Sequence, residues 1–449
     1  MTDLVVGGGV AGLVTAWELI RAGGAVVLVE AERTLGGAVG RHHVAGLDLD
    51  SGAESFSVAG GTVAGLLADL GLAGSICDPD PRGAWVRHRK GSAPLPAGGL
   101  LGIPGDPGSP EVRRVIGALG SLRARADRLL PVALGRSSLA LGGLVRTRMG
   151  RRVVERLVEP VVGGVYSTDP EQLELVTAAP QLAQAIAGGA RLTDAVRQLR
   201  PGTRPGSAVQ GLTGGMYRLV EALAAAIRAG GGEILTGQRV QALTVTRSGV
   251  RVQTGQVELV GDRVVLAVPA GAAERLLGQL VPALPTSDVL LATLVVQHPG
   301  LDRAPRGTGV LVSAQAPGVT AKALTHATAK WAWLAERAGP GRHVLRLSYG
   351  RGGRPLPDPG GLPELARADA EALLGLEIRR EQVVGQAVVR WSSTLPRPAV
   401  GHAAAVQRLL GSLPPRVSMV GGAVAGTGLA AVVRQARSTA ATLGAVSAN

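Results

Sequence analysis

The alternation of apolar and polar positions at the N-terminus predicts a strand, a helix and a second strand within about 30 residues. A short apolar run covers 4–8, helical spacing covers 12–22, and 25–30 is a second apolar run that ends in a glutamate. A βαβ unit of this length typically opens a doubly wound parallel sheet. We therefore expect an α/β fold that begins at the first residues.

Further along the chain the pattern changes several times. A Gly- and Pro-rich stretch, 91–110, favours loops, and the pattern from about 111 to 200 is helical. A Pro-Gly linker at 201–207 precedes a helix at 215–229. The alternating strands that follow end at Pro269 and predict a β-meander that returns to the first sheet.

The last third of the chain predicts a second sheet. Residues 285–395 carry the pattern of a mixed sheet around a helix at about 362–375, and a strand, a Gly-rich turn and a helix follow from about 417. We therefore expect a discontinuous Rossmann-like domain, a mixed-sheet α+β domain that binds substrate, and a helical subdomain. The Rossmann-like domain is predicted to comprise 1–75, 206–284 and 400–449. The substrate domain comprises 76–110 and 285–399, and the helical subdomain comprises 111–205.

Composition excludes several classes of protein. With 449 residues, of which 46% are apolar, the chain can fill real cores and is not intrinsically disordered. Its one cysteine, Cys77, excludes a disulfide framework and Cys-cluster metal sites, and we expect no metal. No apolar run is long enough for a spanning helix, and the N-terminus lacks the pattern of a signal peptide, so a cytoplasmic location is expected.

The formal charge of +14 has two interpretations. Only Lys90, Lys322 and Lys330 are lysines among the 47 cationic residues, and such a bias towards arginine is typical of a GC-rich genome. Alternatively, the positive field attracts an anionic partner. Aromatic residues make up only 2% of the chain, which disfavours nucleic acid, so a small acidic molecule or a membrane surface is the better candidate.

The first motif with chemical meaning lies between the two predicted N-terminal strands. Gly7, Gly9 and Gly12 satisfy the G-x-G-x-x-G pattern, within the run Gly7, Gly8, Gly9, Val10, Ala11, Gly12. Glycines at these places allow a tight turn, a close approach of a diphosphate and close packing of helix on sheet. Glu30 ends the second strand, where a carboxylate accepts hydrogen bonds from a ribose and repels a 2′-phosphate. These residues predict a dinucleotide-binding site, and the carboxylate of Glu30 disfavours NADP as the dinucleotide.

Two further motifs favour FAD over NAD. Gly36 and Gly37 let the chain turn back towards the diphosphate, and the segment Leu49–Phe56 lies where backbone would line a flavin ring. Phe56, the only phenylalanine, is equally well explained as a core residue.

Together with the strings given below, these motifs make the chain resemble the FAD-dependent porphyrinogen oxidases of the amine oxidase/phytoene desaturase superfamily. The resemblance spans almost the whole chain and is most specific in two strings: Glu159-Pro160-Val161-Val162-Gly163-Gly164-Val165-Tyr166, and Arg390-Trp391 followed by Leu395-Pro396 and Val400-Gly401-His402. A third string, Val420-Gly421-Gly422 through Gly426-Thr427-Gly428-Leu429, completes it.

The resemblance implies a set of FAD contacts. Besides the Gly7–Gly12 loop and Glu30, the implied positions are Ala31, Gly36, Gly37, Gly52, Ala53, Glu54, Ser55, Val240, Trp391, Thr427, Gly428 and Leu429. The sequence assigns no catalytic side chain, because the resemblance implies that the chemistry takes place at N5 of the flavin.

The implied reaction is the six-electron oxidation of a porphyrinogen, with O2 as acceptor and three H2O2 as products, in haem biosynthesis. Coproporphyrinogen III, with four propionates, is expected rather than protoporphyrinogen IX, with two. Arginine matches carboxylates in bidentate geometry, and the candidate substrate residues are Arg82, Arg87 and Arg89 with Lys90, which are equally well explained as solvated loop charges. Tyr166 is a further pocket candidate, with a core tyrosine as the alternative.

Three alternatives stay open at this point: an amine oxidase, a carotenoid-type desaturase and a non-enzymatic porphyrin- or flavin-binding shuttle. The amine oxidase is disfavoured because no tyrosine follows Tyr349 to build an aromatic cage, and no cysteine lies near the C-terminus for a thioether link. The tetrapyrrole and O2 are the expected partners. Transient contact with a ferrochelatase and peripheral contact of the region 111–200 with a membrane are further hypotheses.

Overall fold

Two β-sheets of different type face each other in this protein, and a helical subdomain packs on one edge of the second. The computed structural model describes residues 1–199, 208–278, 282 and 284–447, so the predicted linker at 201–207 lies outside the described residues. The α/β class predicted from the sequence is confirmed.

The strands are numbered in chain order. They are β1 (Thr2–Val6), β2 (Ala25–Val29), β3 (Arg41–Val44), β4 (Leu47–Asp50), β5 (Phe56–Ser57), β6 (Ile76–Cys77), β7 (Trp85–His88), β8 (Gly91–Pro94), β9 (Val209–Leu212), β10 (Glu233–Leu235), β11 (Val240–Val245), β12 (Val250–Thr254), β13 (Glu258–Gly261), β14 (Arg263–Leu266), β15 (Thr286–Gln297), β16 (Gly309–Val312), β17 (Ala323–His326), β18 (Arg342–Tyr349), β19 (Val383–Pro396) and β20 (Val417–Met419).

The helices follow the same numbering. They are α1 (Val10–Arg21), α2 (Thr62–Asp69), α3 (Pro110–Arg125), α4 (Leu141–Met149), α5 (Arg151–Val153), α6 (Glu159–Tyr166), α7 (Leu175–Ala178), α8 (Pro180–Ala187), α9 (Leu192–Leu199), α10 (Tyr217–Ala229), α11 (Ala270–Leu277), α12 (Ala327–Lys330), α13 (Ala332–Ala338), α14 (Leu362–Leu374), α15 (His402–Ser412), α16 (Gly422–Ala425) and α17 (Leu429–Ser447).

The first sheet is parallel, with strand order β10-β2-β1-β14-β20. Its strands are nearly continuous apolar runs because both faces are covered: α1, α10 and α17 pack on one face, and the meander β11–β13 packs on the other. The meander returns the chain to β14, as the pattern predicted. This sheet presents the carboxyl ends of β1 and β2 to the site.

The second sheet is mixed, with strand order β19-β15-β18-β17-β16-β7-β8. Part of the stretch 91–110 predicted as loop is in fact β8, because it pairs with β7 at this edge. The strand β17 and the helices α12 and α13 were not predicted either. One face of the sheet is buried under α14. The opposite face points towards the parallel sheet.

The helical subdomain, α3 to α9, has its own apolar core. At its centre lies a buried ion pair between Arg148 and Asp127, and Asp127 also accepts hydrogen bonds from the backbone N–H (2.9 Å) and the hydroxyl (2.7 Å) of Thr193. A π-helical turn at Val154–Val158 joins α5 to α6. The core also takes in Val86 of β7, which fixes the subdomain on the edge of the mixed sheet.

Candidate functional site

The glycine-rich loop after β1 forms an open cradle. A methyl group added at Gly7 or Gly12 would strike backbone carbonyl oxygens, at 2.4 Å from Ala267 and 1.9 Å from Gly7 respectively, so both glycines are required by the protein's own packing. At Gly9 the same methyl group would meet nothing within 4 Å. Since Gly9 also caps the N-terminus of α1, the open space lies where backbone N–H groups favour an anion.

A second pair of glycines closes this cradle. The Gly36 amide donates to the Gly8 carbonyl at 2.8 Å, and Gly36 and Gly9 form an isolated parallel bridge. Gly37 has a φ of 56°, and a methyl group there would lie 3.3 Å from the Cα of Gly9. The chain therefore turns back onto the first loop, as its two adjacent glycines predicted.

Glu30 lies at the carboxyl end of β2, beside the same loop. Its carboxylate accepts hydrogen bonds from the Gly8 amide at 2.5 Å and the Glu32 amide at 2.8 Å. Its carbonyl accepts the Gln238 amide at 2.8 Å, which brings the start of β11, with Val240, next to Glu30 and Ala31. The structure thus collects the predicted adenosine contacts at one sheet edge.

The segment 51–55 lies between the two sheets. A methyl group added at Gly52 would lie 2.0 Å from the Ala38 carbonyl oxygen and 3.4 Å from the Trp391 ring. Trp391 is held there by a hydrogen bond from its indole N–H to the Ser51 carbonyl at 3.2 Å. Ala53 packs against the core of the first domain. Trp391, predicted near the flavin, therefore lies against predicted flavin-lining backbone.

Glu54 in this segment is clamped by two cations from the mixed-sheet domain. Lys330 Nζ lies 2.7 Å from one carboxylate oxygen, and Arg346 Nη1 lies 2.7 Å from the other. Burial raises the pKa of Glu54, but the two cations outweigh it and lower that pKa to about 2. Arg346 also donates to the Gly52 carbonyl at 2.5 Å. The loop is thus fixed to the second sheet.

The turn at Gly426–Leu429 completes the site from the C-terminal side. Gly428 has a φ of 102° and is open to solvent, and Leu429 begins α17, so the first N–H groups of this helix lack partners within the helix. Tyr166 donates to the Ala178 carbonyl at 3.3 Å; burial raises the pKa of its hydroxyl, and the neighbouring Thr427 hydroxyl opposes this effect. Tyr166 and Thr427 are therefore brought together.

An uncovered row of side chains crosses the mixed sheet beside this turn. The paired positions are Val389, Leu291, Ser348, Ala323 and Leu311, on β19, β15, β18, β17 and β16. All five are half-buried, whereas the adjacent row on the opposite face is packed under α14. Among the described residues, the strand alternation thus leaves one largely apolar row only partly covered.

The walls of the resulting cleft come from different parts of the chain. The next row of the same face contains Arg346 and is covered by Glu54. At the opposite edge, α6 covers the sheet, because a methyl group on Gly164 would lie 3.0 Å from Leu311. Trp391 bounds the row on the β19 side. The cleft is therefore a mostly apolar slot between the sheets.

The predicted substrate arginines do not line this slot. Arg82 forms a bidentate pair with Asp80 (2.8 and 2.9 Å) and lines a separate cavity of about 390 Å³ with Asp302 and His343, at the other end of β18. Arg87 is in register with Val312, on the face of the sheet that carries α14. Arg89 is exposed in the β7–β8 turn together with Lys90. Their placement does not support the predicted role.

Sequence reasoning missed the residues that shape the cleft. Leu291, Ser348 and Leu311 belong to strands whose two faces both read as apolar, so periodicity alone could not show which face is covered. The sequence did contain one indication for Arg346 and Lys330. Arg346 is a cation within an apolar strand and Lys330 is a cation next to a tryptophan, and a buried cation needs a partner.

Known proteins share the sequence features of this site. A family described as flavin containing amine oxidoreductase matches residues 10–443, so the chain belongs to this family. It is 32% identical to coproporphyrinogen III oxidase of Mycobacterium tuberculosis over 96% of this chain and 94% of that protein. Those of Propionibacterium freudenreichii (28%; 97% and 89%) and Bacillus subtilis (25%; 97% and 96%) are also similar. The predicted resemblance to FAD-dependent porphyrinogen oxidases is confirmed.

Solved structures share the fold. A proposed protoporphyrinogen oxidase from Exiguobacterium has a TM-score of 0.85 at 24% identity and 99% coverage of both chains. Cyclohexylamine oxidase from Brevibacterium oxydans has a TM-score of 0.70 at 16% identity, covering 100% of this chain and 99% of that one. The protein is a flavoenzyme with FAD as its cofactor. The open cradle at Gly9 fits a diphosphate, since a Cβ there would fill it.

Proposed function

We propose that the protein oxidises coproporphyrinogen III to coproporphyrin III in haem biosynthesis, with O2 as the electron acceptor. The observation that supports this most strongly is the half-buried row from Val389 to Leu311. It offers an extended apolar surface to a large macrocycle, beside the turn at Thr427. Three relatives at 25–32% identity are coproporphyrinogen III oxidases, which favours the same substrate.

The residues of the chain serve to hold and orient. FAD, when bound, accepts hydride from a meso carbon and passes electrons to O2. We assign the diphosphate to the cradle at Gly9, the ribose to Glu30 and the ring to the loop at Gly52 and the turn at Gly428. No titratable side chain belongs to the sheet row, so the pyrrole proton leaves to solvent.

The test is a rapid-mixing experiment. Anaerobic addition of coproporphyrinogen III to the FAD-loaded protein is expected to bleach the flavin absorbance, and air is expected to restore it with three H2O2 per porphyrin. Faster turnover of protoporphyrinogen IX would reverse the choice of substrate. A protein that binds porphyrin but leaves the flavin oxidised would be a shuttle. Bleaching by amines alone would make it an amine oxidase.

We also propose peripheral membrane contact through α3 and the turn that follows it. Among the described residues, no helix is long and apolar enough to cross a bilayer. However, Leu119, Leu122 and Leu129 are 71%, 66% and 87% exposed. Asp127 is the only acidic residue between 112 and 154, and it is buried. Exposed leucines among arginines favour an anionic lipid surface.

Contact with a ferrochelatase and a cytoplasmic location remain predictions. Coproporphyrin released by this reaction needs a metal-inserting enzyme to use it, which is the reason for expecting such contact. Co-purification of a ferrochelatase with the tagged protein, at equal amounts and lost at raised salt, would support it.

A further inference from the structure

Several cations meet at the end of the cleft where α6 stops. Ser167, directly after α6, accepts a hydrogen bond from the buried Lys322 ammonium through its hydroxyl, and its carbonyl accepts the Gly352 amide at 2.9 Å. Arg351 and Arg354 flank Gly352 in sequence. This corner is next to Tyr166 and therefore next to the turn at Thr427.

Arg397 reaches the same corner from the other side. The preceding residue, Pro396, packs on the first domain, since a methyl group added at Gly422 would lie 3.6 Å from its Cγ. The Arg397 guanidinium then extends to the loop after β18, because a methyl group added at Gly352 would lie 3.2 Å from its Nη1. Gly352 therefore leaves the space that the guanidinium occupies.

Arg397 differs from its neighbours in its partners. Arg351 pairs with Glu159 at 3.1 Å and donates to the Val312 carbonyl at 2.6 Å. Arg354 donates to the Ala314 carbonyl at 3.3 Å. Among the described residues, no carboxylate lies within 4.0 Å of Arg397, and its Nε is buried without a hydrogen-bond partner. A half-buried guanidinium that has no carboxylate partner among the described residues can take one from outside the chain.

The electrostatics of the corner favour an anion as that acceptor. Glu159 offsets the charge of one arginine, but Arg354 and Arg397 keep theirs. Burial, and to a smaller extent Arg351, lower the pKa of Lys322 to about 7. An incoming negative charge would relieve this excess of positive charge, and a planar carboxylate matches the fork of a guanidinium.

We propose that Arg397 binds a propionate carboxylate of the tetrapyrrole, in place of the arginines on and around β7 that the sequence suggested. This inference rests on the proposed function. The macrocycle then lies over the sheet row with one edge at Ser167 and Gly352, where a carboxylate reaches the guanidinium. Arg397 thereby contributes to the affinity for the ring through its carboxylate edge.

The test separates binding from turnover. In Arg397→Met, the Kd of the fluorescent product coproporphyrin III is expected to rise about tenfold or more, and KM for the porphyrinogen to rise similarly, with kcat within about twofold. Arg397→Lys is expected to recover part of the affinity, since it keeps the charge but loses the fork. The tetramethyl ester of the product is expected to bind wild type and Arg397→Met equally.

Two controls keep the outcome interpretable. Arg390→Met removes an exposed arginine of β19, the strand that ends just before Arg397. Arg390 is paired with Asp288, and its replacement is expected to change neither Kd nor KM. Arg89→Met tests the original prediction, and a loss of affinity in this variant but not in Arg397→Met would overturn the proposal. Unchanged product binding in both Arg397 variants would also overturn it.

Failure of the proposed function looks different. In that case the wild-type protein itself neither binds the porphyrin nor reacts with the porphyrinogen. FAD content and thermal unfolding of each variant show whether it is folded. If Arg397→Met loses FAD, the proposal is tested with Arg397→Lys and with the affinities of wild type for the acid and its ester. Equal affinity of wild type for acid and ester would contradict the proposal.

Discussion

Arg346 on β18 and Glu54, in the loop after β4, form an ion pair that joins the two halves of the molecule, with Nη1 and Oε2 2.7 Å apart. Lys330 holds the other carboxylate oxygen. Because these three groups are nearly excluded from water, each depends on the others for solvation. The loop that lines the predicted flavin site is thus positioned by the substrate domain.

Replacement of Glu54 by Gln is expected to lower the free energy of unfolding of the FAD-loaded protein by about 3–5 kcal/mol at pH 7, because two buried cations lose their partner. Urea unfolding followed by flavin fluorescence measures this. Glu258→Gln breaks the exposed pair with Arg251 and is expected to cost no more than about 1 kcal/mol. Equal losses in the two variants would contradict the clamp.

The same pair makes a prediction about pH. The pKa of Glu54 is about 2 in the folded protein and its ordinary value is 4.5, so folding favours the ionised form. Its contribution to stability is therefore complete above about pH 4.5 and is lost as the pH falls towards 2. The difference in unfolding free energy between wild type and Glu54→Gln is expected to shrink over that range. A constant difference would contradict the assignment.

The two roles of glycine in the nucleotide loop can be separated. Gly9→Ala adds a methyl group that meets nothing in the protein, so the apoprotein is expected to keep its stability within about 0.5 kcal/mol. FAD affinity is expected to fall at least about tenfold, because the methyl group takes the place of the diphosphate. Calorimetry of FAD binding and thermal unfolding of the apoprotein check both.

Gly12→Ala is the matched variant. Its methyl group would lie 1.9 Å from the Gly7 carbonyl oxygen, so the apoprotein itself is expected to be destabilised. If Gly9→Ala destabilised the apoprotein as much as Gly12→Ala, this would contradict the open space that we assign to the diphosphate at Gly9.

Neighbouring leucines of β15 test the open row. Leu291→Phe is expected to raise KM for the porphyrinogen at least about fivefold with little change in stability, because the larger ring enters the slot. Leu290→Phe forces the same ring into the packed face under α14 and is expected to cost about 1–3 kcal/mol. Steady-state kinetics and urea unfolding of both variants decide. The reverse pattern would show that the slot is on the other face.

The exposed leucines of the helical subdomain predict lipid binding. Wild type is expected to co-sediment with vesicles rich in phosphatidylglycerol but not with pure phosphatidylcholine, and less so at 0.5 M salt than at 0.1 M. Replacing Leu119, Leu122 and Leu129 by Gln is expected to abolish this without loss of activity. Leu410→Gln, on α15, is the control. Equal binding to both vesicle types would contradict an electrostatic contact.

The local features of the fold could be predicted from the sequence. The βαβ start, the glycine loop and the meander each depend on residues close together in the chain, where periodicity and glycine geometry act directly. Glu30 is placed for the same reason, since it ends the strand that follows the loop. The family resemblance then supplied Trp391 and Thr427, which lie far from that loop in sequence.

The substrate side could not be predicted in this way. The strand β7 carries apolar side chains on both faces, and only its parallel register with β16 turns Arg87 away from the slot. Arg346 and Arg397 are two of many arginines in the sequence. Which of them meets Glu54, and which is left without a carboxylate, depends on contacts between segments hundreds of residues apart.

What the sequence determined by itself was the nucleotide-binding half, because its motifs act through backbone geometry within a few dozen residues. What only the tertiary structure decided was the cleft: the partly covered row, its walls and the guanidinium of Arg397, which has no carboxylate partner among the residues that the structure describes. Exposure and ion pairing are properties of the assembled surfaces, so they arise only when the two sheets and the helical subdomain meet.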